Sequence, residues 1–286
     1  MIGISLTLTD YLRLMPAPYT TYGFGRRLLF AFHGYGMDGR QFQVLEASLC
    51  QDYQIVGFHL PYHKDGPMED EGWLLEVKVT IEELLESYEV DELSFAGYSI
   101  GCKVVLSLLP DFRGRVRAVH LFAPYGLTRN PYLWLLESRF GKWLFRSLVK
   151  SNWPGRIISR AYQMKLIADE DHQILQSELD APEKRRNLCE TMRMMSELSP
   201  DIQQIAEIFD QVARSGEHPG VRLVFGKHDP IFARKKLTSE VANCASVEVL
   251  EVDAGHWMMT KDLDEWLEKE VKVNVDFDRL NLTFGS

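Results

Sequence analysis

Short apolar runs that stop at glycine-bearing turns, each alternating with an amphipathic stretch, constrain this chain more than any other feature. Leu28 to Phe32 is such a run and ends at His33-Gly34. Gln54 to Phe58, Glu92 to Ala96, Val116 to Ala123, Val221 to Phe225 and Val247 to Val252 are further strand candidates. Continuous apolar runs of this length read as strands buried on both faces, where side chains of either parity need cover. Between them the period changes to that of a helix. Asp38 opens one, with Gln41 as capping-box partner and Phe42, Leu45 and Leu49 as its apolar stripe. A Pro-, Gly- and acid-rich loop, Pro61 to Gly72, precedes a longer helix with Leu74, Val77, Ile81, Leu84 and Tyr88 on one face. Ser99 to Leu109 is the next helix. Strands alternating with helices predict a mostly parallel central sheet flanked by helices, an α/β fold with right-handed crossovers.

The rhythm breaks once. From Gly126 to Gly220 no run reads as a strand, and helical patterns are interrupted at Pro131, Pro154, Pro182 and Pro200. The expected organisation is a core of residues 1–125 and 220–286 with an all-helical cap inserted at 126–219. Met1 to Thr9 alternates like a strand, and Val271 to Ser286 reads as a short strand or tail.

Composition narrows the setting. The formal net charge is −9, from 32 basic and 41 acidic residues, which argues against nucleic acid or an anionic membrane as general partner. The four cysteines, Cys50, Cys102, Cys189 and Cys244, form no C-x-x-C pair and read as reduced thiols. No apolar run approaches the roughly 20 residues that span a bilayer, so no stable membrane insertion is expected. With no basic start before an apolar core at the N-terminus, the expected location is cytoplasmic.

Chemistry concentrates at the ends of the runs. Gly97-Tyr98-Ser99-Ile100-Gly101 lies between a strand and a helix, the setting of a G-x-S-x-G nucleophile elbow. A turn that sharp needs small neighbours, which Gly97 and Gly101 supply, and it leaves the serine exposed at a helix N-terminus. His33-Gly34-Tyr35-Gly36 closes an earlier strand. Acyl transfer needs two N–H groups aimed at an oxyanion, and the backbones of Tyr35 and Ile100 are the candidates. His33, Gly34 and Gly36 shape that turn, although glycine there also serves any tight bend. Gly226-Lys227-His228-Asp229-Pro230 offers a carboxylate at another strand end, where Asp-Pro is equally a common helix start. Ala254-Gly255-His256-Trp257 offers a base after the last strand. His59 and His63 have the look of a metal pair, but Pro61 between them denies helical spacing, and no metal or organic cofactor is expected. His228 should face away from the site that its neighbour Asp229 addresses, and Asp253 should brace its own loop.

The order Ser99, Asp229, His256 resembles that of the α/β-hydrolase superfamily and differs from that of chymotrypsin or subtilisin. The resemblance covers roughly residues 24–125 and 220–270, and the insert matches the variable cap in position only. It implies an α/β-hydrolase fold with Ser99 as nucleophile, His256 as base and Asp229 as acid. Relatives that act on haloalkanes or epoxides carry Asp at the elbow, where this chain has Ser99. C–C bond hydrolases of aromatic degradation usually show Asn before the serine, where Tyr98 stands here. Menaquinone-pathway relatives often show Gly-Gly-Arg, against Gly101-Cys102-Lys103. The expected function is hydrolysis of a carboxylic ester or thioester of a small to medium, apolar acyl substrate. C–C cleavage at the same site and a non-catalytic ligand-binding role are the alternatives. In the insert, Trp134, Trp143, Phe145, Trp153, Met164, Met192, Met194 and Met195 first serve helix packing, and some are candidates to line an acyl pocket. The basic residues Arg139, Lys142, Arg146 and Lys150 read as the solvated face of a cap helix.

Overall fold

Every residue of the strand Leu93–Tyr98 is buried, so it lies at the centre of a sheet covered on both faces. The computed structural model describes residues 18–129, 159–160, 181–214, 220–245 and 247–270. Its sheet has seven strands: β1 (Tyr19–Tyr22), β2 (Arg27–Phe32), β3 (Tyr53–Phe58), β4 (Leu93–Tyr98), β5 (Val116–Phe122), β6 (Val221–Gly226) and β7 (Val247–Val252). They lie in the order β1-β3-β2-β4-β5-β6-β7. All pairs are parallel except β1 with β3. The chain runs outward from β2 to β3, then crosses back to β4. Connections leaving β2 and β4 therefore diverge, and such a switch point opens a crevice at the carboxyl ends of the strands. Register puts those ends in one line: Phe32 pairs with Gly97, Tyr98 with Phe122, and Gly226 with Val252.

The described helices are α1 (Trp73–Ser87), α2 (Ile100–Leu108), α3 (Pro182–Glu197), α4 (Ile202–Arg214), α5 (Ser239–Ala242) and α6 (residues 261–270). In α4, Ile205, Ile208, Phe209 and Val212 are buried, the spacing of one apolar face, and they pack on β5, β6, β7 and α5. Burial of each such side chain stabilises by about 1.5–3 kcal/mol. In α3, Thr191, Met194 and Met195 are buried, and the helix packs against α2. Its Arg193 reaches the Pro61–Gly72 loop, 2.6 Å from Asp70 Oδ1 and 3.3 Å from the Tyr62 hydroxyl. No described helix is long and apolar enough to cross a membrane. The insert residues Trp134, Trp143, Phe145, Trp153 and Met164, the basic residues Arg139, Lys142, Arg146 and Lys150, and both terminal segments lie outside the described residues.

Three expectations shift. No helix opens at Asp38; instead a 3-10 turn (Gln41–Val44) runs into a π-helical turn (Glu46–Cys50). The capping groups are engaged elsewhere: Asp38 accepts from Arg40 N–H at 2.9 Å, and Gln41 Oε1 accepts from Gly34 N–H at 2.7 Å. Phe42, Leu45 and Leu49 are nevertheless buried as expected. The stripe of α1 is rotated: Trp73, Val77, Ile81 and Leu85 are buried, while Tyr88 is exposed. Trp73, the first helical residue, takes a buried seat, and the i, i+4 line from it leads to Leu85 and not to Leu84. The short edge strand β1 goes unforeseen by the apolar pattern because it is only half-buried.

Candidate functional site

Ser99 sits between β4 and α2 with φ 51° and ψ −116°. Such a conformation strains a residue that carries a Cβ and persists only where its surroundings enforce it. The neighbours show how. A Cβ on Gly101 would lie 2.0 Å from the Phe32 carbonyl oxygen, and one on Gly97 would lie 2.8 Å from the Cys102 backbone. Only glycine lets α2 start this close to the end of β2. The Ser99 N–H donates to the Phe122 carbonyl at 2.9 Å, which fixes the elbow to β5. Ile100 begins the helix, so its N–H has no preceding turn to bond.

The loops after β6 and β7 are zipped together. Lys227 N–H donates to Val252 O at 2.9 Å, and His228 N–H donates to Ala254 O at 3.0 Å. A Cβ on Gly226 would stand 2.4 Å from the Gly255 carbonyl oxygen, so glycine is again required for the approach. This brings Asp229 and His256 into contact. Asp229 Oδ1 accepts from the N–H groups of Ile231 at 2.7 Å and Phe232 at 3.0 Å. Its Oδ2 accepts from His256 Nδ1–H at 2.8 Å. A carboxylate can only accept, so Nδ1 holds the proton and Nε2 presents its lone pair. The Ser99 hydroxyl lies 3.2 Å from that Nε2 and donates to it. Ser99, Asp229 and His256 are all buried. Burial acts to raise the Asp229 pKa, but the His256 partner and the two backbone donors outweigh it and hold the carboxyl below its ordinary value.

The turn after β2 is braced from both sides. His33 donates from Nδ1–H to the Gly34 carbonyl at 2.7 Å, and its Nε2 accepts from Leu60 N–H at 3.0 Å. Complete burial, reinforced by the neighbouring His63, pulls the His33 pKa down to about 3 and keeps the ring neutral. Met37 N–H closes the turn on Gly34 O at 3.3 Å, and Gly36 takes the left-handed conformation at φ 76°. The structure thus brings the His33–Gly36 turn, Ser99, Asp229 and His256 to one sheet edge. His228 stays outside that group, exposed and 2.8 Å from Asp253. His59 and His63 have separate partners: His59 bonds Thr20 Oγ1 and Gly39 N–H, and His63 donates to the Pro61 carbonyl. The motif reading passed over Gln41 as a turn partner, Tyr98 inside the elbow, and Phe232, whose ring lies 5.5 Å from that of His256. Phe232 could have been found from its place three residues after Asp229. The pattern at Gln41 pointed to a helix cap and not to this turn.

A model of the alpha/beta hydrolase family matches residues 28–269, and the chain belongs to that family. No curated protein matches it in sequence. Among solved structures it is similar to the MenH of S. aureus, with 16% identity over 90% of this chain and 97% of that one and a TM-score of 0.61. A thermophilic esterase from Thermogutta terrifontis aligns over 94% and 93% of the two chains at 13% identity, TM-score 0.57. A meta-cleavage product hydrolase from Pseudomonas fluorescens aligns over 90% and 93% at 12% identity, TM-score 0.55. At these identities the likeness is one of fold.

Proposed function

We propose that this α/β-hydrolase cleaves a carboxylic ester or thioester with Ser99 as nucleophile, His256 as general base and Asp229 as its carboxylate partner. The continuous line of hydrogen bonds from Ser99 through His256 to Asp229 carries the reading. His256 Nε2 removes the Ser99 proton as Oγ bonds to the acyl carbon. The N–H groups of Ile100 and Tyr35 take the oxyanion, and His256 returns the proton to the departing alcohol or thiol. A water deprotonated by the same imidazole then releases the acid and restores Ser99. No step calls for a metal or an organic cofactor.

A small to medium apolar acyl group suits the surroundings. Phe232 packs between His256 and Tyr125, and α3, in which Met194 and Met195 are buried, packs against the nucleophile helix. α3, one of the described parts of the 126–219 insert, makes that contact with α2. A fluorophosphonate probe followed by intact-mass measurement tests the proposal: one adduct on the parent, none on Ser99→Ala. A folded parent that takes no adduct, or an adduct that persists in Ser99→Ala, would remove it.

A further inference from the structure

One side chain touches both halves of the site without belonging to either. Tyr98 precedes the nucleophile and is 1% exposed. Its hydroxyl donates to the His256 backbone carbonyl at 2.6 Å. That carbonyl also accepts from Met258 N–H at 2.9 Å, so two donors hold the base loop from beneath. The Tyr98 ring stacks on the His256 imidazole, with centroids 5.8 Å apart and planes inclined by 24°. On the other side it presses on the oxyanion turn: a Cβ on Gly34 would fall 2.5 Å from Tyr98 Cδ1 and 2.8 Å from Cε1. The ring thus fills the space between the turn after β2 and the loop after β7, elements with no strand pairing between them.

We infer that Tyr98 is a positioning residue that sets the spacing between the base His256 and the oxyanion turn, an inference that rests on the function proposed above. The ring acts as a spacer. The hydroxyl acts as an anchor, because a buried, charge-free donor at 2.6 Å defines where the His256 backbone sits. The imidazole's described contacts are Ser99, Asp229, Tyr98, Phe232 and Trp257, and among them Asp229 alone is charged at neutral pH. Orientation of the ring therefore depends on one hydrogen bond to a carboxylate and on packing, and the Tyr98 ring stacks directly on it.

Tyr98→Phe separates anchor from spacer, since it keeps the ring and removes only the hydroxyl. Two readouts are taken: hydrolysis of p-nitrophenyl acetate, and the downfield proton resonance of the His256 Nδ1–H bonded to Asp229, assigned through its loss in His256→Gln. The expected result is a fall in kcat of about tenfold with KM within about twofold, as for a loss felt in the transition state. The Nδ1–H resonance should broaden or disappear through faster exchange with water, while the melting temperature stays close to that of the parent. Tyr98→Leu, which removes the spacer too, should lose more in kcat. A Tyr98→Phe protein that keeps both kcat and a sharp Nδ1–H resonance overturns the inference. So does a loss of activity that merely tracks the unfolded fraction. A parent that shows the resonance but hydrolyses nothing and takes no phosphonate would sink the hydrolase reading, while disappearance of the resonance in Tyr98→Phe would still support the positioning role.

Discussion

Replacing Asp229 by Asn should lower turnover about ten-thousand-fold while leaving the fold in place, the scale that follows when a triad base is held in the wrong tautomer. The backbone dictates how the asparagine would sit. The N–H groups of Ile231 and Phe232 both point at Asp229 Oδ1, and only the amide oxygen can accept from them. The amide NH2 must then occupy the Oδ2 position, 2.8 Å from His256 Nδ1. Facing a donor, Nδ1 becomes the acceptor and the ring proton moves to Nε2. The Ser99 hydroxyl would meet an N–H in place of a lone pair, and its proton would have nowhere to go. Steady-state hydrolysis of p-nitrophenyl acetate measures the effect. Residual turnover within tenfold of the parent would show that the His256–Asp229 contact does not govern the base.

Acid should unfold this protein from an unusually high pH. His33 and His120 are both buried, and burial is the main reason that each pKa lies near 3, with Arg222 and Arg27 adding to the effect at His120. In the unfolded chain each imidazole titrates near 6.5. The folded value lies below the unfolded one, so the unfolded state binds more protons between about pH 6.5 and 3. Stability is then full above that window and falls as pH drops through it. Each group can contribute about 1.4 kcal/mol per pH unit, so the pair could remove about 5 kcal/mol between pH 6.5 and 4.5, comparable to the whole stability of many domains. The melting temperature should therefore drop steeply from pH 6.5 to 5, before most carboxylates titrate. His120→Leu should flatten the slope: near neutrality it gives up only the long 3.5 Å contact of Nε2 with the Tyr53 hydroxyl, since Nδ1 has no hydrogen-bond partner among the described residues. A melting temperature that is level between pH 6.5 and 5 would show that these rings are not held neutral.

What could be seen in the sequence was whatever a strand end forces on its neighbours. Gly97, Gly101 and Gly226 are glycine because a carbonyl or backbone atom stands where a Cβ would go. That steric demand leaves a written trace, and it marked the elbow and the acid loop. The β2, β4 and β6 runs were legible because burial on both faces makes them largely apolar. Elements settled by competition among partners were less visible. Gln41 could cap a helix or hold Gly34 N–H, and nothing local says which wins. Likewise the G-x-S-x-G pattern leaves the residue between Gly97 and Ser99 open, so the reach of Tyr98 to His256, 158 positions later, had no local signal.

That distance has a consequence for how the molecule comes into being. The bond from Ser99 to His256 spans 157 positions, and the carboxylate of Asp264 caps the N–H groups of Ala47 and Ser48 from 217 and 216 positions away. Synthesis proceeds from the N-terminus at about 5–20 residues per second, so the serine is made many seconds before its base. Throughout that interval the elbow strand and its helix can assemble, but His256, the base assigned under the proposed function, does not yet exist to accept a proton. On the proposed mechanism the emerging polypeptide would be silent toward acyl compounds, with reactivity arriving only once the loop after the last strand brings His256 to Ser99.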